Sequence, residues 1–216
     1  MSTVYFPSCK FTEFSPESSR KISAYLARRY GMEIEGCCRP NHTKLTPEDR
    51  VYCVCNTCAA ICEESSPADV HSIWELLQND EEFPWPDYHG RTMALQDCWR
   101  CHDKPAEQDA VRAVLRKMNI HYIELAENRE KTHFCGTSLY IPLHPENAKF
   151  APRRFVENGS GFFVPTSPEE QKKLMEAHCA SIPCDEVVCY CVPCTKGIRL
   201  GGKTAHHLMD LALKNL

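Results

Sequence analysis

The chain has 216 residues, a formal net charge of -4, 43% hydrophobic residues and 25% charged residues. These values are typical of a globular protein, and the lack of a basic excess argues against a nucleic-acid-binding protein. No apolar run approaches the ~20 residues that a membrane-spanning helix needs. The length allows a core of ordinary size, so the unusual feature is the presence of 15 cysteines.

Metal ligation explains these cysteines better than disulfide bonds do. Their number is odd, and many crowd into two short segments, residues 53–62 and 184–194. The first residues, MSTVYFPSCKF, lack the basic start and apolar stretch of a secretory signal. Disulfides are typical of oxidising compartments, whereas reduced thiolates bind soft metals. We therefore expect a cytoplasmic protein whose thiols bind metal.

Beginning at the N-terminus, two segments recur further along the chain. Residues 3–9, TVYFPSC, align with residues 92–98, TMALQDC, and residues 23–35 align with residues 112–124. Both copies of the second segment carry apolar residues at helical spacing and then run into a short strand, MEIE or HYIE. Each copy therefore predicts a strand, a helix and a second strand.

A second correspondence places VYCVCNTC, residues 51–58, on VVCYCVPC, residues 187–194, with three cysteines aligned. A closing helix is predicted after each block, at residues 69–77 and 204–212. The order strand, helix, strand, cysteine-rich strand and turn, helix thus occurs twice. Alternation of strands and helices predicts an α/β fold with a mostly parallel sheet and covering helices.

The duplication predicts two domains, a first cysteine-rich repeat at residues 1–88 and a second at residues 89–216. Residues 79–90, NDEEFPWPDYHG, form a polar, proline-containing join. The second repeat carries about 35 extra residues, roughly 137–170, and a loop of that length is typical of a lid, a binding loop or a partner surface. A mobile surface excursion is an equally good interpretation.

Five cysteines of the first repeat follow predicted strands: Cys9, Cys37, Cys38, Cys55 and Cys58. Functional groups of parallel α/β units gather at the carboxyl ends of the strands, so we expect these thiols to meet at one edge of the sheet. The second repeat offers counterparts in Cys98, Cys135, Cys191 and Cys194. This repetition is more specific than a single C-x-x-C pair, and it indicates zinc or iron–sulfur binding.

The order C…CC…C-x-x-C, present twice, resembles the duplicated CCG domain, a cysteine-rich domain, of the heterodisulfide reductase family. Residues 55–58, CNTC, are similar to the C-N-G-C segment of that family's first domain. Residues 134–136, FCG, resemble a C-C-G whose first cysteine is replaced. The resemblance covers nearly the whole chain and implies two Rossmann-like halves related by internal duplication.

The resemblance also implies a cofactor, a non-cubane 4Fe–4S cluster held by five cysteines. Carried over by position, site one consists of Cys9, Cys37, Cys38, Cys55 and Cys58. Site two consists of Cys98, Cys135, Cys191 and Cys194. Phe134 stands where the family supplies a fifth thiolate, and Cys101 could restore one. Site two is therefore expected to hold a cubane 4Fe–4S cluster or zinc.

The remaining cysteines and two histidines have other interpretations. Side chains alternate along a strand, so Cys53 and Cys189 should point away from the ligand face and act as buried core thiols. Structural and redox-active roles both stay open for the cysteines without a paired counterpart: Cys62, Cys179 and Cys184. His102 and His133 flank site-two cysteines, which leaves a mixed Cys/His zinc site open.

Two functions follow from these patterns. The first is an iron–sulfur redox protein resembling the CCG-domain component of heterodisulfide reductase, an oxidoreductase subunit that reduces a small disulfide or thiol-type substrate or relays electrons within a complex. Because no flavin or nicotinamide motif is present, the electrons would come from a partner protein of flavin-containing or ferredoxin type. The alternative is a zinc- or cluster-stabilised interaction module without enzymatic activity.

Overall fold

The computed structural model describes residues 2–216, which form two compact units. Unit 1 runs to Leu76 and also includes Leu143–Gly161, whereas unit 2 comprises Leu77–Pro142 and Phe162–Leu216. Each unit contains one four-stranded sheet in which all neighbouring strands are parallel. The predicted α/β class with two Rossmann-like halves is confirmed.

The two sheets have the same strand order. In unit 1 the order is β2-β1-β3-β4, with strands β1 (Thr3–Phe6), β2 (Glu33–Ile34), β3 (Arg50–Cys53) and β4 (Asp69–Ser72). In unit 2 the order is β6-β5-β7-β8, with strands β5 (Arg91–Gln96), β6 (Ile120–Glu124), β7 (Glu186–Cys189) and β8 (Thr204–His207). The duplication seen in the cysteine pattern therefore extends to the topology.

Ten α-helices connect and cover these strands within residues 2–216. In chain order they are α1 (Cys9–Phe14), α2 (Pro16–Tyr30), α3 (Cys38–Asn41), α4 (Asn56–Ser65), α5 (Ile73–Leu77), α6 (Pro105–Lys117), α7 (Pro145–Phe150), α8 (Pro168–Ala180), α9 (Val192–Leu200) and α10 (Leu208–Ala212). Of the helices formed by the described residues, none is long and apolar enough to cross a membrane.

The hydrophobic periodicity accounts for the core of each unit. Helix α2 buries Ile22 and Leu26, and helix α6 buries Val111 and Leu115, which recur at the predicted helical spacing. Residues 93–95 of β5 are fully buried, as expected for a central parallel strand that is covered on both faces. Each helix thus packs its apolar face against a sheet.

The predicted closing helices are wrong over their first four residues. Asp69–Ser72 and Thr204–His207 are strands, and only the five residues after each of them are helical. Strand β4 pairs in register with β3, and β8 pairs with β7. The edges of β3 and β7 present backbone donors and acceptors that need partners, and this non-local pairing overrides the weak local preference for helix.

The extra segment of the second repeat has structure of its own. It contains α7 and a π-helical turn at Arg153–Glu157, and α8 begins near its end. Residues 143–161, called the arm below, belong to unit 1. The Glu64 carboxylate of α4 accepts hydrogen bonds from the backbone N–H groups of Arg153 and Arg154 at 2.7 and 2.9 Å. A segment that lies within the second repeat in sequence therefore completes the first unit.

Candidate metal centres

Four cysteine thiols converge in unit 2: Cys98, Cys135, Cys191 and Cys194. Their Sγ atoms all lie within 4.8 Å of one another, and those of Cys98 and Cys135 are 3.4 Å apart. Cys98 and Cys191 lie just beyond the carboxyl ends of β5 and β7, which are neighbours in the sheet. Cys194 follows in the first turn of α9. As predicted, the carboxyl ends of the parallel strands lie at one edge of the sheet and bring these thiols together there.

The four thiols are shielded from solvent. Cys191 is 8% exposed and the other three are 0% exposed. Hydrogen bonds from Cys191, Cys194 and Cys98 hold the pKa of Cys135 well below its usual value, whereas burial raises the pKa values of Cys98 and Cys194. Three thiols thus stabilise one thiolate. Four buried thiolates would need a cation to balance their charge, so this group could hold a metal ion or a cluster.

Two glycines permit the close approach that forms this group. Gly136 follows Cys135 and has φ of +55°, and a Cβ atom there would lie 1.9 Å from the carbonyl oxygen of Pro193. A Cβ atom on Gly197 would lie 2.5 Å from the Cα of Gly136. The turn after Cys135 therefore lies directly on helix α9. The glycine of the F-C-G segment was visible in the sequence, but nothing in the sequence indicated that Gly197 would lie against it.

The other residues predicted near site two lie outside the four-thiol group. The Cys101 Sγ is 3.2 Å from the Tyr190 hydroxyl oxygen and 3.2 Å from the Cys98 carbonyl oxygen. The His102 Nδ1 lies 2.8 Å from the Trp99 carbonyl oxygen. His133 is exposed and its ring stacks on another aromatic ring. Within residues 2–216, the ligand atoms that converge at site two are all cysteine sulfurs.

The five predicted thiols of site one lie close together in unit 1. The thiols of Cys38 and Cys55 lie near enough to the Cys58 thiol to raise its pKa, and Cys9 is within electrostatic range of Cys37 and Cys38. These thiols are more widely spaced than those of site two. In the described chain, only the site-two group places three or more ligand atoms within 4.8 Å of one another.

Site one is open to solvent, unlike site two. Cys9 is exposed, Cys37 and Cys55 are half-buried, and Cys38 and Cys58 are buried. An open cavity of about 510 Å³ lies beside Cys9 and Cys37. A small molecule could therefore reach two of the five thiols.

The electrostatics of site one differ from thiol to thiol. Hydrogen bonds with Cys38 and Cys55, followed by burial, raise the pKa of Cys58 well above its usual value. The hydrogen bond with Cys58 lowers the pKa of Cys38. Burial raises the pKa of Cys9, and the positive charge of Arg39 opposes that shift. Of Cys38 and Cys58, Cys38 therefore ionises more readily.

Arg39 is a site-one residue that the cysteine pattern did not reveal. Its guanidinium donates a hydrogen bond to Asn147 Oδ1 at 2.9 Å and lies 3.2 Å from a carboxylate oxygen of Glu146. Both partners belong to the arm. The arm thus holds a positive charge beside the thiols of site one. Only the tertiary structure brings residues so distant in sequence together.

The cysteines outside both sites have local partners. Cys62 lies near enough to Cys53 to raise the pKa of the Cys53 thiol, and burial raises the pKa of the Cys189 thiol. The Cys179 thiol lies 3.5 Å from the Ile198 carbonyl oxygen. Cys184 is half-buried, with its Sγ 3.7 Å from the Thr92 carbonyl oxygen. The first four of these thiols are buried and pack within their own units.

The fold and the sites define a class: a duplicated α/β protein that is rich in cysteine and has a buried four-thiol group able to hold a metal ion or cluster. The chain matches no family model, no curated protein and no solved structure. The resemblance to the CCG-domain component of heterodisulfide reductase therefore rests on the cysteine pattern.

Proposed function

We propose that the chain is an iron–sulfur redox protein similar to the CCG-domain component of heterodisulfide reductase. In this proposal site one holds the reactive cluster and site two holds a structural metal. The contrast in accessibility carries the proposal. Cys9 of site one is exposed beside a cavity of about 510 Å³, whereas every thiol of site two is at most 8% exposed.

The spacing of the site-one thiols supports a multi-iron group over a single ion. A single ion would draw its ligand sulfurs close together, and the five thiols lack any group of three within 4.8 Å. In a cluster, different thiolates bind different irons and are therefore held further apart. When bound, a cluster of this kind supplies one-electron transfer.

The chain's own residues would then admit and orient the substrate. A small disulfide or thiol in the cavity would lie against Cys9 and Cys37. Arg39, which the arm holds in place, would offset part of the negative charge of the thiolates. Because the chain carries no flavin or nicotinamide motif, the electrons would come from a flavin-containing or ferredoxin-type partner.

The spacing of the site-two thiols supports a single tetrahedral ion such as zinc. Zinc–sulfur bonds of about 2.3 Å place tetrahedral ligand sulfurs about 3.8 Å apart. The separation of 3.4 Å between Cys98 and Cys135 and the upper limit of 4.8 Å for the group bracket that value. A cubane cluster would require the four thiols to move apart.

The same spacing favours a second candidate, a zinc-stabilised interaction module without turnover. A closed four-thiolate zinc site is typical of structural metal sites. In this interpretation site two stabilises the fold and the thiols of site one have no catalytic role. The two candidates differ in whether iron and sulfide are present.

Anaerobic purification followed by iron, acid-labile sulfide and zinc analysis tests the proposal. We expect iron and sulfide in the wild type, lost in Cys38→Ser, and zinc that is lost in Cys194→Ser. Cys184→Ser, which changes a half-buried thiol outside both sites, is the matched control and should retain all metals. Zinc without iron or sulfide would support the interaction module instead, and a chain free of all three would contradict both candidates.

A further inference from the structure

A buried polar network lies directly behind site two, centred on the carboxylate of Asp97. Asp97 is 0% exposed, and its neighbour Arg112 is 2% exposed. The Arg112 guanidinium donates to Asp97 Oδ2 at 2.7 Å, and the backbone N–H of Arg129 donates to the same oxygen at 2.8 Å. The Asp97 N–H in turn donates to Asn128 Oδ1 at 3.0 Å. These contacts fix the carboxylate in one position.

One contact of this network joins the two strands that deliver ligands to site two. The Tyr190 hydroxyl donates to Asp97 Oδ1 at 2.8 Å. Asp97 immediately precedes Cys98, and Tyr190 immediately precedes Cys191. The hydrogen bond therefore links the chain at the carboxyl ends of β5 and β7, one residue before each strand presents its thiol.

We propose that Asp97 and Tyr190 are positioning residues that set the separation of the Cys98 and Cys191 thiols and thereby tighten metal binding at site two. The inference rests on the proposed metal at site two. A hydrogen bond between buried groups keeps the two strand ends from spreading apart. The Cys98 and Cys191 thiols are then already close together before the metal binds, so binding costs less conformational entropy. Contacts behind the ligands of a metal site typically change its affinity by about 10- to 100-fold.

The first repeat lacks this pair. Ser8 and Val54 occupy the positions that align with Asp97 and Tyr190, and a valine side chain cannot donate a hydrogen bond. The pair is therefore confined to the unit whose thiols are closely spaced and buried. Site one, which lacks it, has the more widely spaced thiols. This contrast links the pair to ligand spacing rather than to the fold that both units share.

Cys101 provides a control for this hypothesis because its thiol contacts the same hydroxyl and the Cys98 carbonyl oxygen, and its removal tests those contacts separately from the hydrogen bond between Asp97 and Tyr190. Its Sγ lies 3.2 Å from the Tyr190 hydroxyl oxygen, and its backbone carbonyl accepts a hydrogen bond from the Gln108 side chain at 2.9 Å. Replacement of Cys101 by alanine removes a neighbour of Tyr190 and leaves the bond to Asp97. If the Asp97–Tyr190 pair acts by holding the strand ends, the loss of Cys101 should not affect metal affinity.

Titration of the full chain with Co²⁺ and Zn²⁺ under anaerobic, reducing conditions tests the inference. All samples carry Cys58→Ser to limit binding at site one. Tyr190→Phe removes one oxygen atom, and we expect its metal dissociation constants to rise about 10- to 100-fold, with faster metal loss to a chelator and an altered Co²⁺–thiolate spectrum. Cys101→Ala should match the parent. Loss of a buried hydrogen bond should lower the thermal midpoint of metal-free Tyr190→Phe, so the Co²⁺–thiolate spectrum, which general destabilisation would not change, separates positioning from a merely structural role.

Equal affinities for Tyr190→Phe and the parent would overturn the inference and leave the metal site standing. An equal loss of metal affinity in Tyr190→Phe and in Cys101→Ala would also overturn the inference. Failure of the parent to bind either ion at site two would overturn both the inference and the proposed metal. If Tyr190→Phe does not fold, Asp97→Asn replaces it, because the neutral amide oxygen is a weaker acceptor for the Tyr190 hydroxyl. The same difference from Cys101→Ala is then expected.

Discussion

The phenyl ring of Phe134 lies flat against the imidazole of His178, with ring centroids 4.0 Å apart and an interplanar angle of 11°. His178 belongs to α8, and its Nε2 lies 2.7 Å from Gln96 Oε1. The Phe134 Cζ is 3.3 Å from the position that a Cβ atom would take on Gly197 of α9. Phe134, the first residue of the F-C-G segment, therefore packs against helices α8 and α9.

This packing predicts the behaviour of Phe134→Cys. The shorter side chain should leave a gap against His178 and lower the free energy of unfolding by about 1–3 kcal/mol, less than the ~3–5 kcal/mol of a fully buried phenylalanine replaced by alanine. Metal content per chain should not change, because the ring packs against a helix. Urea unfolding and metal analysis check the two expectations. A gain of iron, or a new cluster spectrum, would show instead that position 134 can supply a fifth ligand.

Gly136 and Gly202 form a matched pair, because both have positive φ but only one is crowded. Gly202 has φ of +90° with nothing within 4 Å of a Cβ, so Gly202→Ala should cost only the backbone strain, about 1–2 kcal/mol. Gly136→Ala adds a collision with the Pro193 carbonyl at 1.9 Å, for a total of about 2–5 kcal/mol. Only Gly136→Ala should weaken metal retention at site two. Similar chelator resistance in the two variants would contradict this expectation.

His207 should make stability depend on pH. Burial lowers the pKa of this imidazole from 6.5 to about 4, while Asp210 raises it and Arg199 lowers it. As the pH falls below about 6.5, the unfolded chain takes up a proton that the folded chain refuses until about pH 4. Stability should therefore fall by roughly 3 kcal/mol across that window and be unaffected by this group at higher pH.

His207→Asn isolates this effect. The asparagine oxygen can still accept the N–H of Met209, which His207 Nδ1 accepts at 3.3 Å. Urea unfolding at pH 7.5 and pH 5 should show a smaller loss of stability in the variant than in the wild type. Release of metal at low pH affects both proteins equally, so it drops out when the stability loss of the variant is subtracted from that of the wild type. Parallel pH dependence in both proteins would exclude His207 as the source.

Cys58→Ser and Cys53→Ser test whether Cys53, the last residue of β3, belongs to site one. Two other site-one thiols, those of Cys38 and Cys55, lie near enough to Cys58 to raise its pKa, so its replacement should reduce bound iron and the stability that metal binding supplies. Cys53 is buried beside Cys62, so its replacement should leave metal content largely unchanged. Iron analysis of anaerobic protein decides between them, and equal iron loss in the two variants would place Cys53 among the ligands.

Features that depend on local pattern or on a general rule of topology could be read from the sequence. The spacing of Ile22 and Leu26 predicted a helix because a helix exposes one face every 3.6 residues. The convergence of Cys98 and Cys191 could be predicted because parallel strands present their carboxyl ends at the same edge. The duplicated α/β fold and the four-thiol group of unit 2 could therefore be predicted from the sequence.

The tertiary structure decided whatever depends on contacts between distant residues. Residues 69–72 and 204–207 are strands because the edges of β3 and β7 offer backbone hydrogen bonds. The arm belongs to unit 1 because Glu64 and Arg39 bind it. Cys101 lies against Tyr190, 89 positions further along the chain. No periodicity encodes such pairings, since their free energy comes from groups that meet only when the chain has folded.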